Sequence, residues 1–375
     1  MVFVIEVNLI SSNEKSANTR IDLFRCALRS SATPLAAIGV VMKAVVVKNI
    51  GSFALEDVGM PEPGYGEVLI ETAVTGLCRT DLKIIEVGHR DLVLPRVPGE
   101  EVVGTIRALG PGVASHHMEQ RVYVYPGTSC GTCKACVQGA ENLCHGMKIM
   151  GFHRDGGFAE YVVAPLKSTI RIPDGCAFDH AVTAEPLSCC LNALELGGLK
   201  PGETIGIWGG GPAGAFLARA ARAMGAEATV IEPHAGRQKY HERVFCAPGS
   251  LRFDVAVVAV GSAQAYHEAM ARLNPRGRLV VFSGLAKDEP EQLLDYNSIH
   301  YGEKSIVGAY GCSYRHGALA LEWIHTGKVV VDDLISHRMP LDELERALEL
   351  VRKRAGMKIL LYPRLGPHCY QGEQG

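Results

Sequence analysis

The chain has 375 residues, and 38 Lys plus Arg against 40 Asp plus Glu leave a formal charge of -2. That balance excludes nucleic acid or an anionic membrane as the main partner, and 47% hydrophobic with 21% charged residues excludes a mainly disordered chain. At about 150 residues per domain the length calls for two or three domains. Twelve cysteines, four of them between Cys130 and Cys144, point to a metal site in a larger protein rather than a small disulfide scaffold.

No apolar run reaches the roughly 18 residues of a membrane-spanning helix, since Ala32–Val47 is interrupted by Pro34, Gly39 and Lys43. Residues 1–41, with Arg25 and Arg29, read as an accessory extension rather than a targeting peptide. Without a persuasive signal, and with many thiols, the expected compartment is the cytoplasm.

From Met42 to about Tyr161 short strands alternate with Gly and Pro. Lys43–Val47, Val68–Thr72, Val102–Ile106 and Val122–Val124 are expected strands, and Pro61-Glu62-Pro63-Gly64, Pro98-Gly99 and Pro111-Gly112 are turns. This is the text of an irregular β-barrel domain. After Pro201-Gly202 the pattern changes. A strand at Thr204–Trp208 runs into Gly209-Gly210-Gly211-Pro212-Ala213-Gly214 and then an Ala-rich helix to about Met224. Further strands are expected at 228–231, 254–260, 278–282 and 305–308, so the second domain is α/β with a doubly wound parallel sheet. Near the C-terminus, apolar residues at 341, 344, 348 and 351 fall on one face of a helix.

The strongest chemical signal is Cys130-x-x-Cys133-x-x-Cys136-x7-Cys144. Four thiolates this close wrap a tetrahedral ion and leave no open position, which defines a structural zinc site. An iron–sulfur cluster is disfavoured because the last spacing is long and His145, not Pro, follows Cys144. The second signal is Gly209-x-Gly211-x-x-Gly214 between a strand and a helix, with Glu232 at the end of the next strand. That context is the dinucleotide fingerprint, in which pyrophosphate sits on the helix N-terminus. Glu232 would bind the ribose hydroxyls and repel a 2′-phosphate, favouring NAD, while nearby Arg237 leaves NADP open.

A third set, Cys78-Arg79-Thr80-Asp81, Gly99-Glu100-Glu101 and Glu185-Pro186-Leu187-Ser188, is ordinary in its parts and specific in combination. With Gly156-Gly-Phe-Ala-Glu-Tyr161, the four-cysteine lobe and the nucleotide fingerprint, it makes Met42 to about Pro363 resemble the zinc-containing medium-chain dehydrogenases. The likeness is to their alcohol and polyol type, in the branch of sorbitol, threonine and glucose dehydrogenases. The resemblance implies a GroES-like β-barrel catalytic domain, residues 42–186 and 313–375, interrupted by a Rossmann domain, residues 187–312. It places a catalytic metal ligand at Cys78, the proton relay at Thr80 and a supporting carboxylate at Asp81. Glu101 becomes the acid beside the metal and Glu185 a later ligand. It also implies a homo-dimer or homo-tetramer built on Rossmann-domain edges.

Two departures stand out. Glu100 occupies the position where the family carries His, and the segment from Arg237 to Asp254 is short enough to have lost most of a helix and strand. With Cys78, Glu100 and Glu185 or Glu101 as ligands, three anions on a dication leave a net charge of -1, which weakens its pull on an alkoxide. Three arrangements fit the sequence: Glu100 ligates, Glu101 ligates while Glu100 turns away, or the site is empty; His153 and His89 are candidate substitutes. The expected activity is hydride transfer between a secondary alcohol (a polyol, sugar-like compound or amino alcohol) and NAD(P), assisted by zinc. Rival readings are an NADPH-dependent carbonyl or enone reductase without a catalytic metal, and a non-catalytic nucleotide-binding structural protein.

Overall fold

The computed structural model describes residues 41–285 and 292–364; apart from Val41, the expected N-terminal extension lies outside them. The catalytic domain is organised on a seven-stranded sheet. Its order is Ile335–Pro340, Lys358–Tyr362, Glu67–Leu77, Glu101–Leu109, Arg121–Val124 and Thr169–Arg171, with Tyr161–Pro165 also paired to Glu67–Leu77. Glu67–Leu77 and Glu101–Leu109 pair antiparallel with register shifts between Leu69 and Ile70 and between Thr72 and Val74. Such bulges raise the local twist and let a long pair of strands bend round a core. The last two strands return from the C-terminus, so this domain is split in sequence by the nucleotide domain.

The nucleotide domain is a parallel six-stranded sheet in the order Val244–Phe245, Glu227–Ile231, Thr204–Trp208, Phe253–Val258, Leu273–Val281, Ser305–Gly308. This is the doubly wound order 3-2-1-4-5-6, whose switch point lies beyond the first strand. Val255, Val257, Ile205 and Ile207 are wholly buried, as parallel strands covered by helices on both faces require. The segment from Arg237 to Asp254 keeps little of a helix and strand, as its length leads one to expect. A single helical turn, Ala235–Gln238, and the two-residue strand Val244–Phe245 remain, and the strand still completes the sheet.

The helix Ala184–Leu196 joins the two domains, so the expected boundary at 186/187 falls inside it. It is buried on nearly all sides and packs on Pro212–Ala223 and Tyr314–His325. Its core is continuous with Val74, Val103 and Tyr123 of the catalytic domain and with Ile205 and Phe216 of the nucleotide domain. The C-terminal amphipathic segment divides into a tight turn, Leu341–Glu343, and the helix Leu344–Arg352, which buries Leu344 and Leu348.

Candidate active site and metal centres

The nucleotide turn follows its strand as the sequence predicts. Gly209 has φ +104°, a conformation that disfavours any side chain. Gly211 caps the helix Pro212–Ala223, with Pro212 in its first turn, so free backbone amides face outward. Glu232 is buried at the end of Glu227–Ile231 and its carboxylate accepts from the Gly210 amide at 2.7 Å and the His234 amide at 2.8 Å. A carboxylate has about four lone-pair sites, so capacity for ribose hydroxyls remains. Arg237 crosses the turn: a Cβ on Gly211 would stand 3.2 Å from its Nη1, and its buried Nε has no hydrogen-bond partner among the described residues. An orphaned guanidinium nitrogen over a helix N-terminus fits a phosphate-bearing dinucleotide.

Gly214 is the tightest point of the turn, since a Cβ there would lie 1.8 Å from the Gly209 carbonyl oxygen. Gly214→Ala must therefore open the turn, and losing one charge-assisted hydrogen bond to the pyrophosphate, about 1.5–3 kcal/mol, costs about 10- to 100-fold in affinity. NADH affinity, read by fluorescence titration, is expected to fall by that order; unchanged affinity would show that the turn does not hold the cofactor.

The acid cluster is built on the strand ends facing that domain. Cys78 caps the helix Arg79–Val87; its Sγ accepts from the Thr80 amide at 3.5 Å and lies 3.5 Å from the Thr80 hydroxyl. Asp81, wholly buried, accepts from the Cys78 amide at 2.8 Å and the Gly99 amide at 3.2 Å, tying this loop to the Gly99-Glu100-Glu101 segment. Burial, and then the Glu101 charge, push the Cys78 thiol up. Burial also raises Asp81 to about 7 and, with Glu101 next, Glu185 to about 8. Burial and the neighbouring Glu185 hold Glu100 well above the usual carboxylate range.

Two expectations for the metal change here. Glu101 is fully buried and ion-paired with Lys358, whose ammonium also donates to the Leu77 carbonyl at 3.2 Å. Its Oε1 is committed to that pair, so Glu101 acts as a charge behind the site, while its buried Oε2 has no hydrogen-bond partner among the described residues. It also explains Gly76, where a Cβ would stand 1.8 Å from the Glu101 Oε2. Secondly, Cys78, Glu100, Glu101 and Glu185 do not form a set whose donor atoms converge. Among the described residues such sets are Cys130, Cys133, Cys136 and Cys144, and Glu185, Cys189 and Cys312. The family's expected catalytic ligand set therefore does not fit this arrangement as it stands. The candidate substitutes are engaged elsewhere: His153 Nδ1 accepts from the Ile149 amide and His89 Nδ1 from the Asp91 amide.

The four-cysteine lobe does fit an ion. A tetrahedral zinc with bonds of about 2.3 Å sets sulfurs about 3.8 Å apart, and Cys133–Cys136 and Cys130–Cys136 are separated by 3.5 and 3.9 Å. Amides of Thr132 and Cys133 hold the Cys130 thiol down to about 5, favouring the thiolate a metal needs.

Sequence reasoning missed Cys189, Cys312 and Lys358. Glu185-x3-Cys189 carried a signal, because residues four apart share a helix face. Lys358 did too, as a lone cation beside the apolar run Ile359–Leu361. Cys312 carried none.

Comparison with known proteins agrees with this architecture. Residues 64–174 match the alcohol dehydrogenase GroES-like domain and residues 214–326 the zinc-binding dehydrogenase domain. L-threonine 3-dehydrogenase of Pyrococcus furiosus is 30% identical over 326 residues, 80% of this chain and 91% of its own. Sorbitol dehydrogenase of Bacillus subtilis is 29% identical over 350 residues, 86% of this chain and 97% of its own. A zinc-binding dehydrogenase of Sinorhizobium meliloti, solved bound to NADP, superposes with a TM-score of 0.82 at 28% identity, covering 86% of this chain and all (100%) of that one. The chain belongs to the zinc-containing medium-chain dehydrogenase/reductase family and is an oxidoreductase of the alcohol and polyol dehydrogenase type.

Proposed function

We propose that this chain oxidises a secondary alcohol (a polyol, sugar-like compound or amino alcohol) by passing hydride to NAD. The observation that carries the reading is one helix serving both sites. Ala184–Leu196 brings Glu185 to the acid cluster, while Cys190 Sγ donates to the Ala213 carbonyl of the nucleotide turn at 3.5 Å. Both reactants are thereby referred to a single rigid element, which lowers the entropic cost of bringing them together.

Gly209, Gly211, Pro212, Ala213 and Gly214 would hold the pyrophosphate, and Glu232 the adenosine ribose. Arg237 lies against Gly211 and also feels the Glu232 charge, so it offsets only part of the repulsion between Glu232 and a 2′-phosphate. NAD is therefore preferred over NADP. When bound, the nicotinamide supplies the hydride acceptor. Thr80 takes the alcohol proton and relays it towards solvent, and Asp81 fixes the loop that presents Cys78 and Thr80. Loss of one proton and one hydride leaves the carbonyl product.

Zinc at Cys130, Cys133, Cys136 and Cys144 would be structural. The outer edge of Ser305–Gly308, with partly exposed Ile306, suits pairing across a two-fold axis into a dimer. Among the described residues no helix is long and apolar enough to cross a membrane; the ten free cysteines described fit a reducing cytoplasm.

The test is a panel of polyols, sugar-like alcohols and amino alcohols with NAD or NADP, read by nicotinamide absorbance. Turnover is expected with NAD, and Thr80→Val is expected to lower kcat by about 100-fold or more with NAD affinity retained. Activity confined to carbonyl reduction with NADPH would overturn the reading in favour of a reductase.

A further inference from the structure

We infer that Glu185, Cys189 and Cys312 form a metal site of their own, holding a zinc-like divalent ion through one carboxylate and two thiolates. It lies beside the acid cluster in place of the Cys78, Glu100 and Glu101 set. The inference concerns the centre of the proposed dehydrogenase but does not need its activity.

Geometry is the first support. Glu185 and Cys189 stand one turn apart on the same face of Ala184–Leu196, and Cys312 enters from the segment between Ser305–Gly308 and Tyr314–His325. The donor atoms of all three lie within 4.8 Å of one another. Bonds of about 2.0 Å to oxygen and 2.3 Å to sulfur at a tetrahedral angle place the two donors about 3.5 Å apart. Cys189 Sγ and Glu185 Oε1 are separated by 3.5 Å.

The third donor is also held in place. Tyr125 donates to the Cys312 carbonyl and Asn192 to the Gly311 carbonyl, each at 2.9 Å. Ser313 then caps the following helix together with His316. Cys312 is thus fixed on both sides, as a preorganised ligand should be.

The second, independent support is Tyr123. It is wholly buried, its hydroxyl has no well-formed hydrogen bond among the described residues although Ser188 lies beside it, and Cys312, Glu185 and Cys189 are its ionisable neighbours. A buried hydroxyl without a partner costs free energy; a water or substrate oxygen on the ion's fourth position would supply one. Partly exposed Cys189 leaves the site an opening.

Two thiolates select a soft or borderline ion such as zinc over magnesium. Binding exchanges the Cys189 and Cys312 protons, released to solvent, for two metal–sulfur bonds. Three anions on a dication sum to a charge of -1, and three protein ligands with an open fourth position are the arrangement of a reactive rather than a structural ion.

Metal analysis of the full chain, loaded with zinc and freed of excess, tests the site. Two ions per chain are expected. Cys189→Ala and Cys312→Ala should each leave one, while Cys78→Ala and Glu100→Gln should retain two. One ion in the unaltered chain, loss of an ion from Cys78→Ala with retention in Cys189→Ala, or recovery of Cys189 and Cys312 as a disulfide would each overturn it. Cadmium-113 resonance of the unaltered chain removes dependence on variant folding. One four-thiolate signal and one signal from two thiolates with oxygen are expected, and a one-thiolate signal in place of the latter refutes the assignment. A chain with both ions and no alcohol turnover would refute the proposed function and leave this site standing.

Discussion

Lys358→Met is expected to destabilise the protein by about 3–5 kcal/mol, the cost of leaving one member of a buried ion pair uncompensated. Glu101 is wholly buried and Lys358 3% exposed, so little solvent is available to replace the lost partner. The pH dependence has a definite sign. Burial already raises Glu101, and Lys358 is what pulls it back down. Without the ammonium its folded-state value climbs further above the unfolded one, so the folded variant binds a proton that the unfolded chain has released. The deficit is therefore smallest at acid pH and grows as pH rises through the carboxyl range. Urea unfolding of both proteins at several pH values measures it. Glu101→Gln with Lys358→Met removes both charges, and the double variant should recover most of the loss. A variant as stable as the parent at neutral pH would mean that the pair contributes nothing. The change should also reach the chemistry, because Lys358 lowers Cys78, Asp81 and Glu185 together. Removing it makes the thiolate and carboxylates harder to form.

That ion pair marks where sequence reasoning ended. The strand–turn–helix around Gly209–Gly214 was legible because its chemistry is local: a strand, three glycines at fixed spacing and an acid ending the next strand. The four-cysteine lobe was legible for the same reason. The acid cluster was only half legible. Cys78, Thr80 and Asp81 share one helix start, and the Asp81 bonds to Cys78 and Gly99 explain why those short motifs occur together. Whether Glu101 was a ligand depended on Lys358, which is 257 residues away in sequence and pairs with it through the C-terminal strand. Cys312 likewise reaches Cys189 only because the doubly wound sheet returns the chain to the junction helix. Such contacts are made by topology, and no local pattern encodes them.

Cys133→Ser or Cys136→Ser is expected to remove one ion per chain and to expose the segment 129–146 to proteolysis. The lobe has little else to hold it. Between Gly127 and Ile149 the only buried hydrophobic side chain is Cys144, while Val137 and Leu143 are exposed. In such a lobe metal binding and folding are one equilibrium. The consequence should extend beyond the lobe. Asn142 donates to the Tyr310 carbonyl at 2.6 Å, and Glu141 accepts from the Tyr314 amide. The lobe thus grips the chain on both sides of Cys312, close to the junction helix that carries Glu185. Releasing it should lower alcohol turnover severalfold, although none of the four cysteines belongs to the acid cluster. Asn142→Ala combined with Glu141→Gln separates the two effects, since it cuts the latch and spares all four thiolates. That variant should keep the lobe's ion and its protease resistance while losing turnover. If it is fully active, and Cys133→Ser is inactive, the lobe acts through global stability and the latch carries nothing.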